Sequence, residues 1–113
     1  MDCIFCKIIN GDIPSKTIYE DDMIKAFHDI EPQAPVHIII VPKKHIESAN
    51  AINPDNSGYV AAIFEKIPEI AKLAGISESG YRIINNCGKD GGQTVMHLHF
   101  HLLGGRDLGM GIV

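Results

Sequence analysis

The spacing of apolar and polar residues changes period several times along this chain, and each change marks an element. Near the C-terminus, Met96-His97-Leu98-His99-Phe100-His101-Leu102-Leu103 alternates at a strict period of two, which predicts a β-strand over 96–103. On such a strand His97, His99 and His101 share one face. Leu98, Phe100 and Leu102 take the other, where they can seal onto a core. Thr17-Ile18-Tyr19-Glu20 and Met23 to His28 suit two strands joined by a tight turn at Asp21-Asp22. Val36 to Val41 is nearly all β-branched, so it reads as a central strand buried on both faces and interrupted by His37. Pro42 to His45 leaves that strand, and Tyr81 to Asn85 supplies another.

Between Pro54 and Leu73 the period lengthens. Tyr59, Ala62, Ile63, Ile67, Ile70, Leu73 and Ala74 recur at three and four, which predicts a helix whose stripe packs into the core. Asn53 before Pro54 suits an N-cap, and Gly75 a C-terminal stop. Pro68 lies inside this pattern and predicts a kink or a break into two segments. At the N-terminus, Cys3 to Ile9 reads as one or two helical turns with Ile4, Phe5, Ile8 and Ile9 buried, stopped by Asn10-Gly11-Asp12 and Pro14. Asp29 to Pro35 and the Gly-rich Asn86 to Thr94 are loops, and Gly104-Gly105 ends the histidine strand. The expected fold is α+β: a five-stranded antiparallel sheet with one short helix and one longer helix, kinked or broken at Pro68, packed on it.

Composition narrows this picture little, and charge narrows it more. At 113 residues, 45% hydrophobic and 21% charged, the chain 1–113 is expected to be a single ordinary globular domain. A net charge of −4 argues against a nucleic-acid polymer as partner, though a single nucleotide needs only local donors. No apolar run approaches the length of a membrane span, and Met1-Asp2-Cys3-Ile4 lacks the basic and apolar regions of a signal peptide, so no membrane partner and a cytoplasmic location are expected. In a reducing compartment Cys3-x-x-Cys6 is more often a metal or redox motif than a disulfide.

Three of the six histidines fall within five positions, which speaks against chance. Imidazole can act near neutral pH as nucleophile, proton donor or metal ligand. A row of three at about 6.5–7 Å spacing can follow a phosphate ester from one side of its phosphorus to the other. A metal site built on the same row is the competing reading. The loop ahead of the row, Asn86-Cys87-Gly88-Lys89-Asp90-Gly91-Gly92-Gln93-Thr94, offers backbone N–H groups through its glycines and side-chain donors from Asn86, Gln93 and Thr94. Alone, such a loop is usually just a turn; beside the histidines it reads as a phosphate cradle.

His97-Leu98-His99-Phe100-His101-Leu102-Leu103 resembles the histidine triad signature, His-φ-His-φ-His-φ-φ with φ apolar. From Cys3 to about Arg106 the chain resembles the Hint branch of that superfamily, which hydrolyses nucleoside phosphoramidates. The resemblance implies a homodimer that joins two sheets into one. It implies His99 as nucleophile toward the α-phosphorus of an AMP- or GMP-type nucleotide, its Nδ1 hydrogen-bonded to a carbonyl near His97. His101 would bind the phosphoryl oxygen or help the leaving group depart, and His37 would line the same site. Asn86, Gly92 and Thr94 match the contacts to the α-phosphate, with threonine where many members have serine. Phe27, Asp29 and Ile30 match the nucleoside pocket, Asp29 facing the ribose hydroxyls and the two apolar residues the base.

Two departures from the better-known members stand out. Arg106 to Val113 replaces a Trp-Pro-rich tail, so the preferred leaving amine is not implied. The pair Cys3 and Cys6 is an addition. With His45 and His97 these cysteines match the structural zinc site of a bacterial branch and of uridylyltransferase relatives, no cofactor being required for the chemistry itself; buried thiols without metal are the alternative. Three functions therefore compete: a nucleotide hydrolase working through a nucleotidyl-histidine, a nucleotide-binding regulatory module with little turnover, and a metal-dependent hydrolase. The intact histidine row argues against a pure binder. Redox work by Cys3 and Cys6 is a remote fourth, since the pair does not follow a βαβ pattern.

Overall fold

A computed structural model describes residues 3–113. Its elements run α1 (Ile4–Asn10), β1 (Thr17–Glu20), β2 (Ile24–His28), β3 (Val36–Pro42), α2 (Ser57–Leu73), β4 (Tyr81–Ile84) and β5 (Phe100–Gly104), with a short 3-10 turn at Ala49–Ala51 that the sequence pattern did not signal. The strands form one sheet in the order β1-β2-β3-β5-β4, every pair antiparallel. This is the expected α+β architecture.

Period-two alternation divides the core between the faces. Ile38 and Ile40 of β3 point to the α2 side, where Ile24, Ala26, Leu98, Phe100 and Leu102 close with Ile63, Ile67 and Ile70 of the helix. Ile39 and Val41 point the other way and pack with Phe27 under Phe5 and Ile8 of α1. The two helices thus cover opposite faces, and β3 is buried on both. Each isoleucine fully buried here contributes about 1.5–3 kcal/mol.

Several boundaries differ from expectation for local reasons. The helix starts at Ser57, not Pro54: Asn53 Oδ1 accepts from the N–H groups of Asp55 and Asn56, capping a preceding turn, while Asn56 is the N-cap. Pro68 neither breaks nor ends α2. Phe64, whose carbonyl loses its partner there, is exposed, as is Pro68, so water can satisfy the freed group. At the far end Gly75 takes φ +76°, its N–H bonding Lys72 O while that of Ile76 bonds Ala71 O, a left-handed stop that a side chain would strain. Leu73 is 58% exposed, outside the buried stripe on the outer side of α2, while in α1 Ile4 is 47% exposed and Ile9 half-buried.

The histidine strand is shorter than its pattern. β5 begins at Phe100, so His97 and His99 lie on a lead-in segment and His101 alone of the three is within the ladder. The ladder stops because β4 ends at Ile84 and β3 ends at Pro42, and proline offers no N–H to a neighbouring strand. Loop and side-chain groups take over: Leu98 N–H donates to Ile46 O at 2.6 Å, and Asn85 Nδ2 to His99 O at 2.8 Å. The alternation of faces survives. Leu98, Phe100 and Leu102 join the α2 core, and the rings of His97 and His99 meet Phe5 on the α1 side.

Candidate active site

On the α1 side the sheet is open beyond the helix, and a pocket of about 910 Å³ lies there. His99 and His101 line it together with Phe27, Asp29, Ile30 and Thr94. The sequence pattern did not single out Ile4, Phe5, Ile8, Ile13, Lys16, Ile39 or Val95 for this wall, yet they complete it.

Hydrogen bonds fix which nitrogen of each imidazole carries its proton. His99, 5% exposed, donates from Nδ1–H to the His97 carbonyl at 2.7 Å. A carbonyl can only accept, so Nε2 of the neutral ring is a bare lone pair. His37 is set the opposite way. Gln33 N–H donates to His37 Nδ1 at 3.0 Å, which places the His37 proton on Nε2, 2.8 Å from His101 Nδ1. That Nε2–H donates to His101, whose own proton must then sit on Nε2. The register makes the pairing: Ile39 stands opposite His101, and His37 is its diagonal neighbour on the same face. With ring centroids 5.1 Å apart, His99 offers a lone pair and His101 a proton donor.

Burial favours the neutral forms of His37 and His101. It pushes His101 down to about 4, with His99 and His37 adding to the shift. Burial likewise lowers His37, partly opposed by the Asp29 carboxylate, whose Oδ2 is 3.5 Å from His37 Nε2. Asp29 Oδ1 accepts from Glu31 N–H at 2.7 Å, so one carboxylate oxygen anchors the loop and the other faces the histidines.

Of the expected phosphate cradle, Thr94 reaches the pocket wall and is exposed. Gly92 is exposed at φ +79° and Asn86 is half-buried; neither lines the pocket. Gln93 is buried and its amide is spent within the protein. Nε2 donates to Glu47 O and Val95 O, and Oε1 accepts from Gly88 N–H. These bonds brace the loop from within, a role that spacing alone does not reveal.

Behind His99 lies a second constellation. Cys3, Cys6, His45 and His97 bring one ligand atom each to within 4.8 Å of one another. Cys3 Sγ is 3.3 Å from His97 Nδ1, Cys6 Sγ is 3.4 Å from His45 Nδ1, and the two Nδ1 atoms are 3.1 Å apart. With zinc–sulfur bonds of about 2.3 Å and zinc–nitrogen bonds of about 2.0–2.1 Å, a tetrahedron's edges come to about 3.3–3.8 Å. The sulfur–nitrogen spacings fall within that range, the nitrogen–nitrogen spacing lies about 0.2 Å below it, and the donor set suits zinc. His97 Nε2–H donates to Pro42 O at 2.9 Å, leaving Nδ1 unprotonated toward the cluster, as a metal-ligating histidine requires. Burial also holds His97 below its ordinary range. Asp29, His37 and His101 lie equally close together, but there the proton on His37 Nε2 occupies the very atom a metal would need.

Residues 10–108 match the family model described as HIT domain. A purine nucleoside phosphoramidase from Escherichia coli strain K12 is 46% identical over 106 residues, covering 94% of this chain and 89% of that protein. Among solved structures, a HIT family hydrolase from Clostridium thermocellum superimposes with a TM-score of 0.97 at 48% identity, over 99% of this chain and 97% of the other. A histidine triad protein from Clostridium difficile gives 0.94 at 52% identity, over 98% and 96%.

Proposed function

The chain belongs to the HIT domain family, its relatives include hydrolases, and from that premise we propose that this hydrolase cleaves nucleoside 5′-phosphoramidates or related nucleotide conjugates through a covalent nucleotidyl-histidine. The observation that carries the reading is the 2.7 Å bond from His99 Nδ1–H to the His97 carbonyl, since it leaves an unprotonated Nε2 on a buried ring at the pocket wall. That nitrogen attacks the α-phosphorus. The phosphorus–nitrogen bond to the amine breaks, the amine leaves with a proton drawn from solvent, and water then cleaves the phosphorus–histidine bond to release the nucleoside monophosphate. His101 Nε2–H binds the phosphoryl oxygen on which charge develops, and His37 holds the tautomer that makes this possible. In this reading Thr94, on the pocket wall, meets the α-phosphate, with Asn86 and Gly92 of the same loop reaching it from outside that wall. Phe27 and Ile30, also on the wall, take the base, and Asp29 takes the ribose.

Cys3, Cys6, His45 and His97 hold zinc in this reading. The metal supplies no step of the reaction; it ties α1 to the lead-in of β5. Residues 1–113 act as one domain, and two copies join their sheets into a homodimer. Mass spectrometry after mixing the protein with adenosine 5′-phosphoramidate tests the central claim. AMP release with a transient adenylyl adduct on the peptide containing His99 is expected. Intact substrate after prolonged incubation would overturn it. A regulatory module that binds without turnover would give that second result while still binding AMP added separately.

A further inference from the structure

His97 belongs to two structures at once. Its ring lies in the thiol and imidazole cluster, 3.3 Å from Cys3 Sγ and 3.6 Å from Cys6 Sγ, and its far nitrogen is tied to Pro42 O. Its main-chain carbonyl is the acceptor that orients His99. With the ring held at both nitrogens and buried, the carbonyl has little freedom to turn. The next residue is fixed as well, because Leu98 N–H reaches Ile46 O, one position after the ligand His45.

A second connection runs through α1. Cys3 and Cys6 flank Phe5, whose ring stands edge-on to His99 at 5.0 Å and to His97 at 6.0 Å. Cys3 Sγ also accepts the Cys6 N–H at 3.3 Å, which sets the first turn of the helix. The same two thiols that face His97 therefore press Phe5 against the ring proposed to attack phosphorus. A shared carbonyl and a shared aromatic contact link the cluster to the active site.

We propose that the Cys3, Cys6, His45 and His97 cluster, when closed on its metal, positions the nucleophile: His97 and Phe5 are positioning residues that hold His99 in one tautomer and one ring orientation. This rests on the reading of His99 as nucleophile. A ring displaced by about 1 Å loses on the order of a hundredfold in rate, so opening the cluster lowers kcat by about that factor while KM changes little.

The experiment compares the zinc-loaded protein, protein stripped by a chelator, and His97→Cys. The last keeps four nitrogen and sulfur ligands, but a thiolate cannot donate to Pro42 O. Each is assayed for kcat and KM with adenosine 5′-phosphoramidate, for fold by circular dichroism, and for the His99 ring by 15N NMR of histidine-labelled protein. The loaded protein should show His99 with its proton confined to Nδ1. Both altered forms should be folded, with kcat down about a hundredfold and the His99 nitrogens averaging between tautomers. Stripped or His97→Cys protein that keeps kcat within threefold and an unchanged Nδ1–H signal would overturn the proposal. So would a protein that cannot fold in either form, because the cluster would then serve the fold and not the nucleophile. If loaded protein turns nothing over, the proposed reaction has failed, and the nitrogen spectra alone still decide whether the cluster orients His99.

Discussion

At the scale of single residues, the site rests on where protons sit. His99→Asn keeps a polar side chain of similar reach but removes the attacking nitrogen. The variant should bind AMP within about threefold of wild type and lose nearly all turnover, as steady-state rates and calorimetric titration would show; turnover within tenfold would remove His99 from the nucleophile's place. A pH dependence follows from the depressed histidines. Burial holds His37 and His101 below the ordinary value of 6.5 in the folded protein, His101 down to about 4, whereas in the unfolded chain both protonate near 6.5. Between those limits the unfolded state binds more protons, so stability falls as pH drops from about 6.5 toward 4 and changes little from this source above 7. Urea midpoints at pH 7.5, 6 and 5 should decline in that order, and equal midpoints would mean the two rings are not buried neutral. The residue types of this site were readable in the sequence, because a row of histidines and a Cys-x-x-Cys pair have few uses. The direction of each proton was not. It depends on Gln33 N–H, the His97 carbonyl and the Pro42 carbonyl, main-chain groups that every residue possesses and whose aim only the fold sets.

At the scale of elements, strands and helices were legible where the hydrophobic period was long and went astray where the chain terminates. β3 and α2 follow their patterns closely. β5 does not, since the alternation from Met96 to Leu103 reports which face a side chain takes and not whether a partner strand is there to pair with. The loop from Asn86 to Thr94 gives the converse lesson. Its glycines and amides suggested a cradle of donors, but one donor, Gln93, turned out to be the loop's internal brace. Gln93→Ala should remove three hydrogen bonds and strand the Glu47 and Val95 carbonyls and the Gly88 N–H. Glu47 is exposed and Gly88 and Val95 are half-buried, so water reaches some of these groups and the total cost is on the order of 1–3 kcal/mol. The variant should therefore lose roughly that much stability by urea unfolding and weaken AMP binding several-fold, because the loop that carries Asn86, Gly92 and Thr94 slackens. Unchanged stability with weaker AMP binding would instead make Gln93 a direct ligand contact.

At the scale of the whole molecule, the two edges of the sheet differ in a way that bears on assembly. β1 is a guarded edge. Its register shifts between Thr17 and Tyr19, and Glu20 is engaged by Lys25 and Lys43; irregularity and charge of this kind discourage pairing with another chain. β4 carries one charge, Arg82, whose guanidinium donates to Gly109 O at 2.7 Å. It pairs with β5 along one side in unbroken register, while Tyr81 and Ile83 are 37% and 36% exposed. An edge strand in regular register, with two exposed apolar side chains and a row of backbone donors and acceptors facing no partner strand, is suited to meeting a second copy of itself, which would extend two five-stranded sheets into one. The homodimer proposed above is therefore expected to form across β4. Wild-type protein should sediment as a dimer at micromolar concentration. Ile83→Lys sets a charge on the outward face of that edge and should shift the equilibrium to monomer while the circular dichroism spectrum stays that of wild type. Substituting Thr17→Lys on the β1 edge serves as the control and should leave the dimer intact. A wild-type protein that sediments as a monomer at tens of micromolar would end the proposal, and a dimer lost through Thr17→Lys but not Ile83→Lys would move the interface to the other edge.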